Sequence, residues 1–232
     1  EMLIYYTDIT KMKEEDCTLL MPFISKKRRE KIEKYYHADD KKRSICAELL
    51  LKYCVQKRFG NGKEIVLTYN QYGKPLCCLP KDFHFNISHS GKWVVIAAGN
   101  CNVGIDVEEI RRDKCEDVID CFSVSENLYV NCEDLVEQKK RFIHIWSMKE
   151  SFVKYLGTGL KTNFNSFCVD PNSGKVHYIT EVQPVIKSWL FDKDYYMSLC
   201  CEQEIEEQKE IEFRELYHMY VNGAMDDENS VS

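Results

Sequence analysis

Gly104-Ile105-Asp106-Val107-Glu108 decides how this chain is read. Successive side chains of an extended segment point to opposite faces, so Val103, Ile105 and Val107 share one face while Gly104, Asp106 and Glu108 take the other. The two carboxylates then stand about 7 Å apart along the strand. Two acids on one face of an otherwise apolar strand repel each other, so something must offset their charge. An exposed strand face is the plain reading. A hard, oxygen-ligated cation such as Mg²⁺, with positions left to water or phosphate, is the sharper one.

Outward from this strand lie two further stretches. In Trp146-Ser147-Met148-Lys149-Glu150-Ser151-Phe152-Val153-Lys154, helical spacing puts Trp146, Glu150 and Lys154 on one stripe. A surface ion pair would explain Glu150 and Lys154. Trp146 and Phe152 suggest instead a helix packed on the core, with Glu150 and Lys154 at a rim or cleft. There Glu150 completes a three-carboxylate metal site or takes a proton from an attacking hydroxyl. In Asn86-Ile87-Ser88-His89-Ser90-Gly91, a serine hydrolase is excluded: neighbours on a strand face opposite ways, and the chain has no Gly-x-Ser-x-Gly elbow. Hydroxyls, an imidazole and a glycine turn suit a phosphate better.

The 232 residues carry a net charge of −6, which argues against a general nucleic-acid binder. Positive charge is local, in Lys26 to Lys31 and in Lys41-Lys42-Arg43. Such runs are either solvated helix faces or a docking patch for a small polyanion. No apolar run approaches the ~20 residues of a membrane span, and no stretch reads as a signal peptide. The twelve cysteines include no Cys-x-x-Cys pair. Free thiols in a reducing cytoplasm are therefore expected, not zinc or a disulfide framework.

Periodicity predicts a strand over 2–7, a helix over 26–36 capped by Ser25, and a helix from Asp39 or Asp40 to Phe59 ended by Gly60. Strands follow at 65–69, 83–88, 93–98 and 103–107. They are expected to pair antiparallel through short connections, with 70–75 as a turn and 99–102 as a hairpin loop. Helix is expected in 111–142, capped by Ser123 or Ser125, and over 144–156, stopped by Gly157. Strands are expected near 164–170, 175–180 and 195–201, and a frayed end from Asp226. Glu48-x-x-x-Lys52-Tyr53 and Glu150-x-x-x-Lys154-Tyr155 echo each other, as two halves of similar α+β build would.

Together, Phe85 to Ser90, Gly104 to Glu108, Trp146 to Lys154, Tyr72-Gly73-Lys74-Pro75 and the basic segment Lys26 to Lys31 resemble the Sfp-type 4′-phosphopantetheinyl transferases. The resemblance covers about residues 2–200; no motif covers the acidic part after Glu202. It implies an α+β fold of two similar subdomains in pseudo-twofold arrangement, each a small antiparallel sheet with packed helices. Residues 1–102 would bind the phosphates and adenine of coenzyme A. Residues 103–232 would supply metal ligands, base and carrier docking. The implied reaction moves phosphopantetheine from coenzyme A to a serine of an apo acyl, peptidyl or aryl carrier protein, as a holo-acyl-carrier-protein synthase does, and releases 3′,5′-ADP.

The same resemblance implies residue roles. Asp106, Glu108 and Glu150 would hold Mg²⁺; Glu150 or a water would deprotonate the carrier serine; Lys154 would hold a phosphate oxygen. Lys74, Ser88 and His89 would grip coenzyme A phosphates, with Arg28, Lys31 and Arg43 on the 3′-phosphate. Ser151 stands where alanine is frequent. Phe122, Leu128 and Tyr129 are candidates either for an apolar docking face or for the core. A cytoplasmic monomer without nucleic-acid or membrane partners is expected. Two other readings compete. A non-catalytic coenzyme A or nucleotide-binding module would have no need of a base beside the metal. A metal-dependent phosphodiesterase would want more motif histidines than His89.

Overall fold

The structure is a computed structural model that describes residues 2–110, 121–178 and 183–229, without side chains at 160 and 222–229. Strand β1 (Met2–Asp8) leads to α1 (Glu14–Leu20), α2 (Lys26–Ile32) and α3 (Ala38–Phe59). A hairpin of β2 (Val66–Tyr69) and β3 (Pro75–Leu79) follows, then β4 (His84–Ser90), β5 (Trp93–Gly99) and β6 (Val103–Glu109). Next come α4 (Val124–Val130), α5 (Leu135–Leu156), β7 (Cys168–Val169) and β8 (Val176–His177). The chain continues through β9 (Val185–Phe191), β10 (Tyr195–Cys201), β11 (Ile205–Glu210) and α6 (Phe213–Asn229).

Two sheets carry the molecule. The first has strand order β11-β1-β5-β4 and the second β6-β10-β9. β5 is buried along its whole length because both its faces are covered. Val94, Ile96 and Ala98 meet Ile45, Leu49, Leu50 and Tyr53 of α3. Val95 and Ala97, with Met2 and Ile4, meet Ile105, Val107, Met197 and Leu199 of the second sheet. The far face of that sheet is covered by α5 through Phe142, Ile145, Met148 and Phe152. Each half thus sets a 22-residue helix against antiparallel strands. The echo persists in contacts: Tyr53 donates its hydroxyl to Glu215 and Tyr155 to Glu202, at 3.0 and 2.7 Å.

Several expectations are corrected. β6 does not pair with β5: after residues 99–102 it crosses to the second sheet and pairs with β10. Ser25 does precede α2, but its N–H and hydroxyl both go to Glu48 of α3, at 2.6 and 2.9 Å, and cap nothing. α2 is shorter than expected. His37, not Asp39 or Asp40, precedes α3; the two acids lie in its first turn, where the helix dipole favours them. α4 begins at Ser123 in a capping box with Glu126, α5 starts already at Leu135, and 111–120 lies outside the described residues. The segment after Glu202, which carried no motif, returns to the first sheet: β11 pairs parallel with β1. α6, which the frayed-end reading missed, continues through Asn229, with Leu216 in the first core.

Candidate active site

The site begins with a glycine. A Cβ on Gly104 would lie 2.0 Å from the Ser151 carbonyl oxygen and 2.3 Å from the Tyr155 nitrogen. Only a residue without a side chain lets the α5 backbone rest on β6 at this point. That approach carries Glu150 and Lys154 over the strand next to Asp106.

Lys154 Nζ is 2.5 Å from Asp106 Oδ1 and 2.8 Å from Ser88 Oγ. Ser88 donates its hydroxyl to the same Asp106 oxygen at 2.9 Å and accepts the Val107 N–H at 3.3 Å. A hydroxyl has one donor and two acceptor positions, so Ser88 is fully engaged inside the protein. Asp106 is buried, and its Oδ2 has no hydrogen-bond partner. Burial pushes its carboxyl up to about 7; Lys154 pulls it down, and the charges of Glu108 and Glu150 push it up again. Glu108 and Glu150 therefore both act on Asp106 electrostatically.

Among the described residues no group of three His, Cys, Asp or Glu side chains is arranged to hold a metal ion as the chain stands. The donor chemistry nevertheless fits a hard divalent cation. A buried carboxylate with an orphan oxygen, beside two further carboxylates, is costly without a counter-charge, and carboxylate oxygens are what Mg²⁺ takes. Lys154 supplies part of that charge.

Two hollows meet here. A groove of about 1580 Å³ is lined by Lys27, Arg28, Lys31, Ser44, Asn86 and His89 among others, so one wall is cationic. A second hollow of about 630 Å³ is lined by Trp146, Glu150, Val153, Lys154 and Phe164, and shares Gly73, Pro75 and Asn86 with the first. The Trp146–Glu150–Lys154 stripe lies half-buried along that second hollow, as the helical spacing suggested.

The remaining basic residues divide by what already binds them. Arg28 is held by Glu48 at 3.0 Å and by Ser44. Lys31 is exposed, with its ammonium 5.9 Å from the Tyr35 ring. Arg43 donates to the Gly91 carbonyl at 2.6 Å and pairs with Asp40 at 2.8 Å. His89 is exposed at the groove, and desolvation with the nearby charges of Arg43 and Lys154 lowers its pKa. Lys74 stands apart. Its ammonium donates to Asn102 Oδ1, the Val103 carbonyl and the Tyr155 carbonyl at 3.0, 3.2 and 3.1 Å. All three of its hydrogens are used, so it clamps the β5–β6 connection to the end of α5. Burial lowers its pKa to about 8.

The docking candidates also separate. Leu128 is exposed, joined by Val124, Leu135 and Val136, whereas Phe122 is a core residue. Tyr129 is half-buried and bonded to His144 Nδ1 at 3.0 Å. Sequence reading took Asn86 and Ser90 only as part of a phosphate-suited stretch and gave neither a role of its own, although both alternate with Ser88 along β4.

Comparison with known proteins agrees with this geometry. A family model described as the 4′-phosphopantetheinyl transferase superfamily matches residues 102–202, and one described as 4′-phosphopantetheinyl transferase, N-terminal, matches residues 11–101. The 4′-phosphopantetheinyl transferase Sfp of Bacillus subtilis (strain 168) is 34% identical over 196 residues, 82% of this chain and 87% of the relative. This chain belongs to the 4′-phosphopantetheinyl transferase superfamily. The transferase psf-1 of Bacillus pumilus is 31% identical over 78% of this chain and 80% of its own length. The L-aminoadipate-semialdehyde dehydrogenase-phosphopantetheinyl transferase of Rattus norvegicus is 27% identical over 73% and 62%. As a phosphopantetheinyl transferase the chain takes coenzyme A as donor and a carrier protein as acceptor. Among the described residues no helix is long and apolar enough to cross a membrane, and the eleven described cysteines are free thiols.

Proposed function

We propose that this transferase moves the phosphopantetheine arm of coenzyme A to a serine of an apo acyl, peptidyl or aryl carrier protein in a Mg²⁺-dependent reaction that leaves 3′,5′-ADP. The observation that supports it most is Asp106: a buried carboxylate with an orphan oxygen, touched by Lys154 and within electrostatic reach of Glu108 and Glu150. Those three acids would hold the metal. When bound, Mg²⁺ offsets the charge of the pyrophosphate and of the leaving group.

The chain's own groups supply the rest. Glu150 is the base for the carrier serine. Lys154 already stands on Asp106, and it neutralises phosphate oxygen charge as the P–O bond breaks. Arg28, Lys31, Arg43 and His89 line or border the cationic side of the groove and suit the 3′-phosphate, with arginine matching it by its fork. Ser88 reaches the phosphates only if it gives up Asp106. Lys74 supports the site as a clamp. Residues 1–102 thus serve the nucleotide. Residues 103–202 serve the metal, the base and, through Val124, Leu128, Leu135 and Val136, the carrier. We place the protein in the cytoplasm as a monomer.

The test is intact-mass spectrometry of an apo carrier incubated with the enzyme, coenzyme A and Mg²⁺. A carrier heavier by one phosphopantetheine is expected from the wild type and none from Asp106→Ala. No mass shift with any of several acyl, peptidyl and aryl carriers would overturn the reading.

A further inference from the structure

The two sheets face each other along β4 and β6 without main-chain pairing between them. Their junction is made by side chains. Asn86 Oδ1 accepts the Ile105 N–H at 2.9 Å, Ser88 Oγ accepts the Val107 N–H at 3.3 Å, and Ser90 Oγ accepts the Glu109 N–H at 3.2 Å. Residues on both strands advance by two at each rung, so the strands run parallel and one face of β4 supplies every acceptor. An edge strand's N–H groups need partners, and here short polar side chains provide them.

Two of the three rungs do a second thing. The hydroxyl that takes an N–H of β6 gives its own hydrogen to a carboxylate of the same strand. Ser88 donates to Asp106 Oδ1 at 2.9 Å, and Ser90 donates to Glu108 Oε2 at 3.1 Å. Each serine is therefore anchored by the β6 backbone and holds one oxygen of the side chain that precedes its anchor point. Groups that bond the outer atoms of a metal ligand fix its orientation, and their loss typically weakens metal binding about 10–100-fold.

We propose that Ser90 is a positioning residue for Glu108: it turns one carboxylate oxygen aside so that the other faces the cation shared with Asp106, as Ser88 does for Asp106. The junction between the halves is then also the outer shell of the metal site. This deepens the proposed function and rests on its metal assignment.

The probe is Mn²⁺, followed by its electron paramagnetic resonance signal in the presence of saturating coenzyme A, with folding checked by circular dichroism. Ser90→Ala is expected to bind Mn²⁺ about 10–100-fold more weakly. Ser90→Thr, which keeps the hydroxyl, should bind nearly as the wild type does. In a Glu108→Ala background, itself weak, Ser90→Ala should add no further loss. Unchanged Mn²⁺ affinity in Ser90→Ala overturns the proposal, and so does an equal further loss in the Glu108→Ala background. If Ser90→Ala does not fold, Ser90→Thr and Ser90→Cys decide. Wild-type affinity in both overturns the proposal, because the thiol is a weak donor; wild-type affinity in Thr with loss in Cys supports it. Should Glu108→Ala bind as the wild type does, the metal assignment falls and this proposal with it, whereas failure of Ser90→Ala alone leaves the transferase reading standing.

Discussion

Lys149 and Glu126 form an ion pair that neither shares with solvent. Lys149 Nζ lies 2.7 Å from Oε1 and 2.9 Å from Oε2 of Glu126, and both side chains are 0% exposed. The third ammonium hydrogen goes to the Phe167 carbonyl at 2.8 Å, and Glu126 also accepts from the Ser123 and Val169 nitrogens. The pair ties α4, with its exposed leucine and valine, to the residue preceding Glu150 on α5. Breaking a buried pair from one side leaves an unpaired charge and costs about 3–5 kcal/mol. Lys149→Met should lower stability to urea by that amount.

Gly104→Ala tests the seat of α5, which carries the proposed base. The added methyl meets backbone atoms of Ser151 and Tyr155, which cannot rotate away. Overpacking of this kind costs about 1–3 kcal/mol. Because the displaced helix carries Glu150 and Lys154, kcat/KM should fall further than that loss of stability accounts for. A variant with lowered Tm but wild-type kcat/KM would show that the contact is structural only.

A pH dependence follows from His144. Its Nδ1 bonds the Tyr129 hydroxyl, its ring stacks on Tyr196 at 4.6 Å, and its Nε2 is buried without a partner. Burial lowers its pKa to about 4. In the unfolded chain a histidine titrates near ~6.5. As pH falls through that value the unfolded state takes up a proton that the folded state refuses. The contribution is fully present above about 6.5 and is lost as pH falls toward about 4, up to about 3 kcal/mol in all. His144→Gln should flatten this part of the stability curve, as read by urea unfolding at several pH values.

Glu48 should matter to the donor nucleotide. Its carboxylate, 7% exposed, is held by the Ser25 nitrogen and hydroxyl, by Arg28 at 3.0 Å and by Lys52 at 3.4 Å. It fixes the start of α2 and the fork of Arg28 at the groove. Hydrogen bonds to charged groups are worth about 1.5–3 kcal/mol each. Glu48→Ala should therefore raise KM for coenzyme A more than KM for its 3′-dephospho form, and Arg28→Ala should abolish that difference.

The parts of the fold that were legible are those where one residue type has one use. Gly104, Asp106 and Glu108 separated cleanly from Val103, Ile105 and Val107, and α3 announced itself by apolar spacing, whereas only the second half of α5, 144–156, was read as its own helix. β11 was invisible because Ile205–Glu210 is almost entirely exposed and charged; it is a strand through pairing with β1 and not through its own pattern. β9, which the reading passed over, also alternates poorly, being an edge strand. Ser25 read as a cap because a cap is the local use of serine, and Glu48, 23 residues away, took both its groups. Ser88 read as a phosphate partner from its hydroxyl, and Lys74 only through the family resemblance. What the fold adds is their partners within the protein: Asp106, Lys154 and the Val107 N–H for Ser88, and three carbonyl or amide oxygens for Lys74.

The most direct test of the proposed metal site is a crystal structure with coenzyme A and Mg²⁺. One cation should lie about 2.1 Å from carboxylate oxygens of Asp106, Glu108 and Glu150, with the pyrophosphate beside Lys154. A cation held away from these three side chains, or a nucleotide bound outside the groove that Arg28 and His89 line, would contradict it.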